Sequence, residues 1–364
     1  MSKKYKNVPA PEQENEAVKQ PKKKKKKGGF GRFLGRVFLL LFTILLILAV
    51  DLYLVLNLVF NGPSEAASKS LTMSLTEISL TKWVPDIFLG ADRVAEIRND
   101  MKVELSSAIT DPSKVTVNPE ANVDSVRIEN RSGDTFQAHI MLVRDPSQVY
   151  MGLASQDLAT SGGKTPVAMM EAEADAVAAI NAGAFQVDEA SGRAVAAGLI
   201  YSAGQKSWDE NHNLVENKGF AGFNQDGVLI VATDMTAAEA EVQGIRDGCS
   251  FGPVLIVNGE VNADAYNTNS GYASRTAIGQ RADGTVIFVT IDGLQAGSLG
   301  ANYQDLIDIL MEYGAVNACN MNGGSSVMMY RDAGQIRMIN NQSLLNTQES
   351  SMPNYWMVRA TGKE

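Results

Sequence analysis

Histidine is nearly missing from this chain, with two among 364 residues, His139 and His212, beside two cysteines, Cys249 and Cys319, and three tryptophans. The two histidines stand in unrelated surroundings, and neither an HExxH nor a CxxC spacing is present, so the residue types that hold zinc are not grouped and no metal site is expected. A Ser-His-Asp hydrolase fits poorly, because no nucleophile-elbow motif occurs. His139 sits inside an apolar run and reads as a strand residue rather than a base. The cysteines lie far apart in sequence and leave two options open, one disulfide or two buried thiols. Nothing in the sequence names a cofactor.

Positive charge is scarce everywhere except at the N-terminus. Residues 1–36 hold ten lysines and two arginines against three glutamates, a net +9 in a chain whose total is −9, so residues 37–364 carry −18. An acidic body repels phosphate backbones at long range, which argues against a nucleic-acid partner. The head has almost nothing apolar before Phe30 and reads as a disordered cytoplasmic segment. Its lysine run, residues 22–27, precedes an apolar stretch, residues 37–60, whose strongly polar members are Asp51 and Asn57. That stretch meets the roughly 20 residues needed to cross a bilayer as a helix. It exceeds the apolar core of a cleaved signal peptide, and the preceding lysines set the N-terminus inside. The expectation is a single-pass signal anchor in the cell membrane with a large extracellular domain. Residues 61–122 then read as a stalk with apolar positions at helical spacing, either a spacer packed on the domain or a membrane-surface segment.

From about Val123 to the end the pattern is dominated by strands. Residues 126–129 and 136–143 form a hairpin, and residues 149–153 are expected to continue the same sheet. Thr165-Pro166 opens a helix with a threonine cap and proline in its first turn, running to about Val177. Strands follow at 198–201, 220–223, 228–232 and 253–257, with Asp226-Gly227 and Asn258-Gly259 as turns. Residues 303–313 form a helix that presents Leu306, Ile307 and Leu310 inward and stops at Gly314.

Three stretches carry chemistry. Ile180-Asn181-Ala182-Gly183-Ala184-Phe185 ends an apolar run in small residues, where Asn181 has an amide to orient a ligand and Gly183 admits a close backbone; a plain loop is the other reading. Ser274-Arg275-Thr276 heads one strand and Ile291-Asp292-Gly293 ends the next, with Asp283-Gly284 almost midway between. Antiparallel pairing then brings a guanidinium and a carboxylate to one sheet end, as a site or as a structural ion pair. Asn322-Gly323-Gly324-Ser325-Ser326 gathers bare N–H groups and hydroxyls at a strand end and suits an anionic or hydroxyl-rich ligand, although Asn-Gly is also a hairpin signal.

In chain order the segments INAGAF (180–185), GPVLIVNG (252–259), SRTAIG (274–279), IDG (291–293) and NMNGGSS (320–326) resemble the phosphodiester glycosidase domain family, which includes the uncovering enzyme and bacterial exopolysaccharide-biosynthesis proteins. The resemblance spans about residues 123–360. It implies an α+β fold, a mixed and mostly antiparallel sheet with packed helices, here preceded by one N-terminal transmembrane helix. It also implies hydrolysis of a sugar-1-phosphodiester, with Asp292, Arg275 and Asn322 at the chemistry. Asn181, Gly183, Phe185, Thr276, Gly293, Gly323, Gly324, Ser325 and Ser326 would line the sugar-phosphate or glycan substrate. Two departures stand out: Asn322 occupies the place of a family aspartate, and Leu294 follows Asp-Gly where an arginine is expected. A phosphate monoester leaves as a stable anion, so Asp292 acting on water with Arg275 on the phosphate would suffice without a second carboxylate. The alternative is a catalytically lapsed glycan-binding protein of the cell envelope.

Overall fold

The computed structural model describes residues 29–76, 81–100, 108–117, 126–160, 162–188, 190–215, 217–295, 297–323, 328–332, 334–339 and 351–360. The chain forms two compact units that divide between Val55 and Leu56. Helix α1 runs Gly29–Asn61, and within it Phe33–Asn61 has a mean hydropathy of 2.8, long and apolar enough to cross a membrane. Its side chains from Phe33 to Val55 are exposed throughout.

Three short helices follow, α2 (Glu65–Thr76), α3 (Val84–Leu89) and α4 (Ala91–Asp100). Val94 and Ile97 on α4 are buried, and Phe88 of α3 stacks on Phe60 with ring centroids 5.0 Å apart. The helical spacing in this stretch is therefore real, and Pro85 begins a helix rather than breaking one, because position N1 or N2 needs no N–H partner. Residues 108–117 already pack on the body: Thr110 N–H donates to Val231 O at 3.0 Å and Thr116 N–H to Ala282 O at 2.8 Å. The expected start near Val123 lies outside the described residues.

The body is an α+β fold of antiparallel sheets with helices packed on them. Its largest sheet has seven strands in the order Val126–Ser132, Gln137–Val143, Val286–Ile291, Arg275–Arg281, Ala315–Met321, Val254–Val257 and Glu260–Val261. A five-stranded sheet contains Leu229–Ala232, Phe220–Asn224, Ile245–Ser250, Gly198–Ser202 and Gln205–Glu210. A second five-stranded sheet orders Gln335–Met338, Met328–Asp332, Ala176–Asn181, Asn354–Arg359 and Val149–Leu153. The strand Val149–Leu153 thus leaves the sheet of its predecessor, because the 3-10 turn Pro146–Gln148 redirects the chain to pair with the C-terminal strand. The helix opened by Thr165 is Pro166–Ala172, capped by Thr165 Oγ1 accepting from Ala168 N–H; it ends earlier than its apolar spacing suggests, and residues 176–181 are a strand.

One core cluster joins inward faces of all three sheets, including Met141, Ile278, Phe288, Cys319, Ile180, Trp356 and Phe223. The opposite face of the seven-stranded sheet carries Ala277, Val289 and Ile291 against Leu306, Ile307 and Leu310 of helix Tyr303–Glu312. A capping box between Asn302 and Asp305 starts that helix, and Gly314 stops it at φ 79°. Cys249 and Cys319 are both buried free thiols, and burial pushes both of them up from the ordinary thiol range.

Candidate active site

The hairpin around Asp283-Gly284 pairs Arg275 with Ile291 and Thr276 with Thr290, so Arg275 and Asp292 do arrive at one sheet end. The next two pairings extend the same row, Thr290 to His139 and Thr276 to Met321. Side chains alternate across a strand, so His139, Thr290, Thr276 and Met321 share one face, and Asp292, two residues past Thr290, returns to it. Arg275 shares the other face with Ala277 and Ile291.

The contacts follow this parity. Asp292 is 1% exposed; Gln295 Nε2 donates to its Oδ2 at 2.8 Å, and His139 Nε2 stands 3.4 Å from its Oδ1, within ion-pair range although not aligned as a hydrogen bond. His139 Nδ1 is 2.8 Å from Asn130 Oδ1 across the first strand pair, which fixes the ring with Nε2 toward the carboxylate. The main chain of Asp292 is pinned as well, its N–H donating to Gln137 O and its carbonyl accepting from Ser298 Oγ. A buried carboxylate is costly unless paired, and this one has a cation-capable ring and an amide beside it.

Arg275 is 4% exposed and occupied elsewhere. Its Nε donates to Ala301 O at 3.0 Å, its Nη2 to Ser270 O at 3.0 Å and Gly271 O at 3.1 Å, and the guanidinium lies 4.6 Å over the Tyr303 ring. Strand alternation puts these contacts on the helix side of the sheet.

The Asn-Gly at 322–323 is not a hairpin turn. Ala315–Met321 belongs to the seven-stranded sheet and Met328–Asp332 to another, so the intervening residues cross between sheets. Asn322 N–H donates to Ala182 O at 3.0 Å, Asn181 Nδ2 to Asn322 O at 3.2 Å, and Asn322 Nδ2 to Gly183 O at 3.5 Å. Residues 181–183 and Asn322 are thereby laced together. Gly323 is needed for close approach, since a Cβ there would stand 2.5 Å from Ser274 O, and Ser274 Oγ donates to Gly323 O at 2.6 Å. Gly183 is similarly confined, by Asn354 and by Cys249, with a Cβ at 3.0 Å and 3.1 Å from them.

The structure brings Asn181, Gly183, Asn322, Gly323, Ser274 and the head of the Arg275 strand together, with Thr276 in the row leading to Asp292 and Gly293. Phe185 is not part of this group; it packs half-buried on the cluster of Met169, Met170 and Tyr355. Gly324, Ser325 and Ser326 lie outside the described residues. His139 is the residue that sequence reasoning missed. It shares its alternation with buried Met141 and Val143, and a histidine at an inward strand position is the signal that marked it. Among the described residues no group of three or more His, Cys, Asp and Glu is placed to hold a metal ion.

Comparison with known proteins adds the following. A family model described as phosphodiester glycosidase matches residues 174–359, half of the chain. SPbeta prophage-derived uncharacterized protein YomE of Bacillus subtilis (strain 168) is 26% identical over 194 residues, 50% of this chain and 27% of that protein, so the chain spans about a quarter of the length of this curated relative. The zebrafish N-acetylglucosamine-1-phosphodiester alpha-N-acetylglucosaminidase catalytic domain, auto-inhibited by its pro-peptide, superposes with a TM-score of 0.53 at 18% identity over 70% of this chain and 89% of that one. A hypothetical protein from Synechocystis gives a TM-score of 0.47 at 18% identity over 64% and 61% of the two chains.

Proposed function

The chain belongs to the phosphodiester glycosidase family, and from that premise we propose that it is a membrane-anchored hydrolase acting on a sugar-1-phosphodiester in surface glycans or glycoconjugates. Asp292 takes a proton from a water that attacks the anomeric carbon. The bond from that carbon to the phosphate oxygen breaks, and the phosphate departs as a monoester that needs little protonation. His139 and Gln295 hold the carboxylate in place; Arg275 holds the loop carbonyls of Ser270 and Gly271 at the head of its strand. Asn181, Gly183, Thr276, Gly293 and Gly323 line the sugar and phosphate positions in this reading. N-acetylglucosamine is the first sugar to test, from the activity in the zebrafish protein's name. The lysines of residues 22–27 place the N-terminus in the cytoplasm and the body outside.

The single observation that carries the reading is Asp292, buried with His139 beside it at the sheet end where Asn181 meets Asn322. Asn322 has a structural contact of its own: its Nδ2 donates toward Gly183 O at 3.5 Å, which a carboxylate is unable to do. The second reading, a glycan-holding protein without turnover, rests on that same asparagine standing where the family has aspartate. The test is incubation of the full chain in detergent micelles with N-acetylglucosamine-1-phosphodiesters in ¹⁸O-labelled water. Label in the released sugar, with unlabelled phosphate monoester, is the expected result. Label in the phosphate sinks the proposed bond cleavage, and turnover that begins only with Asn322→Asp supports the second reading.

A further inference from the structure

The α2–α4 segment leaves two large apolar side chains in solvent. Trp83, at the head of α3, is 57% exposed and Ile87, one helical turn on, is 61% exposed, while Pro85 between them is buried. Positions four apart share a helix face. Lys82 and Asp86 flank this face, both exposed, so it is an apolar pair within a polar surround. A ring with an apolar body and a polar N–H, beside such a pair, suits the boundary between headgroups and acyl chains.

Its position identifies the occupant. Phe88 of the same helix stacks on Phe60, at the last turn of the candidate membrane helix, which ends at Asn61. The exposed pair is thus carried by a helix seated on the residue where the chain leaves the apolar span. A bilayer crossed by that helix would be the apolar phase nearest to this pair.

The same segment packs on the loop before the Arg275 strand. Ser74 Oγ on α2 accepts from Tyr272 N–H at 2.8 Å, Asn269 Nδ2 donates to Ala66 O at 3.2 Å, and a Cβ on Gly271 would stand 2.8 Å from Ser74 N. Residues 269–272 are the loop whose carbonyls Arg275 grips at the head of its strand. We infer that Trp83 and Ile87 seat this helical segment in the surface of the bilayer, so that the site works on sugar phosphodiesters carried by lipid in that same leaflet. The substrate clause rests on the proposed hydrolase; the docking does not.

The test uses the full chain in vesicles of phosphatidylcholine with or without bromine on the acyl chains near the headgroup. The three tryptophans simplify it: Trp356 is fully buried and Trp208 is half-buried within the body, which leaves Trp83 to meet lipid. Bromination should quench the emission that Trp83→Phe removes and leave that variant unaffected. Equal quenching with and without Trp83, or none in either, overturns the docking. In the same vesicles, Trp83→Glu with Ile87→Glu should slow hydrolysis of a lipid-anchored sugar phosphodiester about tenfold, through lost effective concentration, and leave a water-soluble diester unchanged. Equal loss on both substrates overturns the lipid-substrate clause. Absence of hydrolysis by every form overturns the hydrolase and this clause together, while the quenching still decides the docking.

Discussion

Arg275 and Asp292 sit one register position apart on one hairpin and serve different layers of the protein. On the Asp292 face, polar groups line up in a row: half-buried His139, then buried Thr290 and Thr276, with the carboxylate beyond them. On the Arg275 face, the guanidinium closes three backbone carbonyls and covers a tyrosine ring. The first arrangement concentrates a charge beside groups able to exchange protons; the second consumes a charge in holding loops. Proximity along a sheet edge therefore says little about shared chemistry until the face is known.

Each side of this contrast has its own signature. Asp292→Asn keeps the shape of the side chain, and turnover of a sugar-1-phosphodiester should fall on the order of 1,000-fold, the range expected for loss of a general base, with the folded fraction retained in a denaturant titration. Arg275→Met should do the reverse: stability drops by about 3 kcal/mol, from buried carbonyls left without donors and a lost cation–π contact. A stable Arg275→Met with a raised KM for the phosphodiester would return Arg275 to the cleft and dissolve the contrast. Gly323→Ala drives a methyl toward Ser274 O and should cost about 2 kcal/mol, read by thermal unfolding, as overpacking does in tight sites. The smallest effect is on the cysteines. Burial raises both thiols, so each stays protonated at neutral pH and native protein should resist alkylation until it unfolds.

Local signals in the sequence translated well. Asn258-Gly259 forms the tight turn expected of it, with φ of 55° and 85°, and Gly227 and Gly284 adopt positive φ in their own turns. The apolar helices Gly29–Asn61 and Tyr303–Glu312 are likewise legible, because apolar spacing and capping residues are short-range. What the sequence hid depends on distant partners. Asn322-Gly323 reads as a hairpin, and only the destination of the strand after it, in another sheet, makes it a crossing. Residues 149–153 pair with residues 354–358, some 200 positions away, which no local pattern announces. The strands Gln205–Glu210 and Ile245–Ser250 also went unread, the first being polar and the second broken by Gly248. His139 was discounted because its sequence neighbours are apolar, whereas its chemical neighbours come from the adjacent strand and from the loop after the next one. Turn position makes the shared sheet end of Arg275 and Asp292 readable, whereas the face each side chain takes follows from strand alternation.

The most direct test of the account is a double-mutant cycle on turnover with His139→Phe, Asp292→Asn and the pair, since groups that act as one unit lose activity non-additively. His139→Phe alone should lower kcat roughly 30-fold with little change in KM, as loss of a group orienting a working residue does. If the ring acts through the carboxylate, the double variant will be no slower than Asp292→Asn alone. Losses that multiply would show that His139 and Asp292 work independently, and would contradict the claim that this face of the sheet holds one catalytic unit.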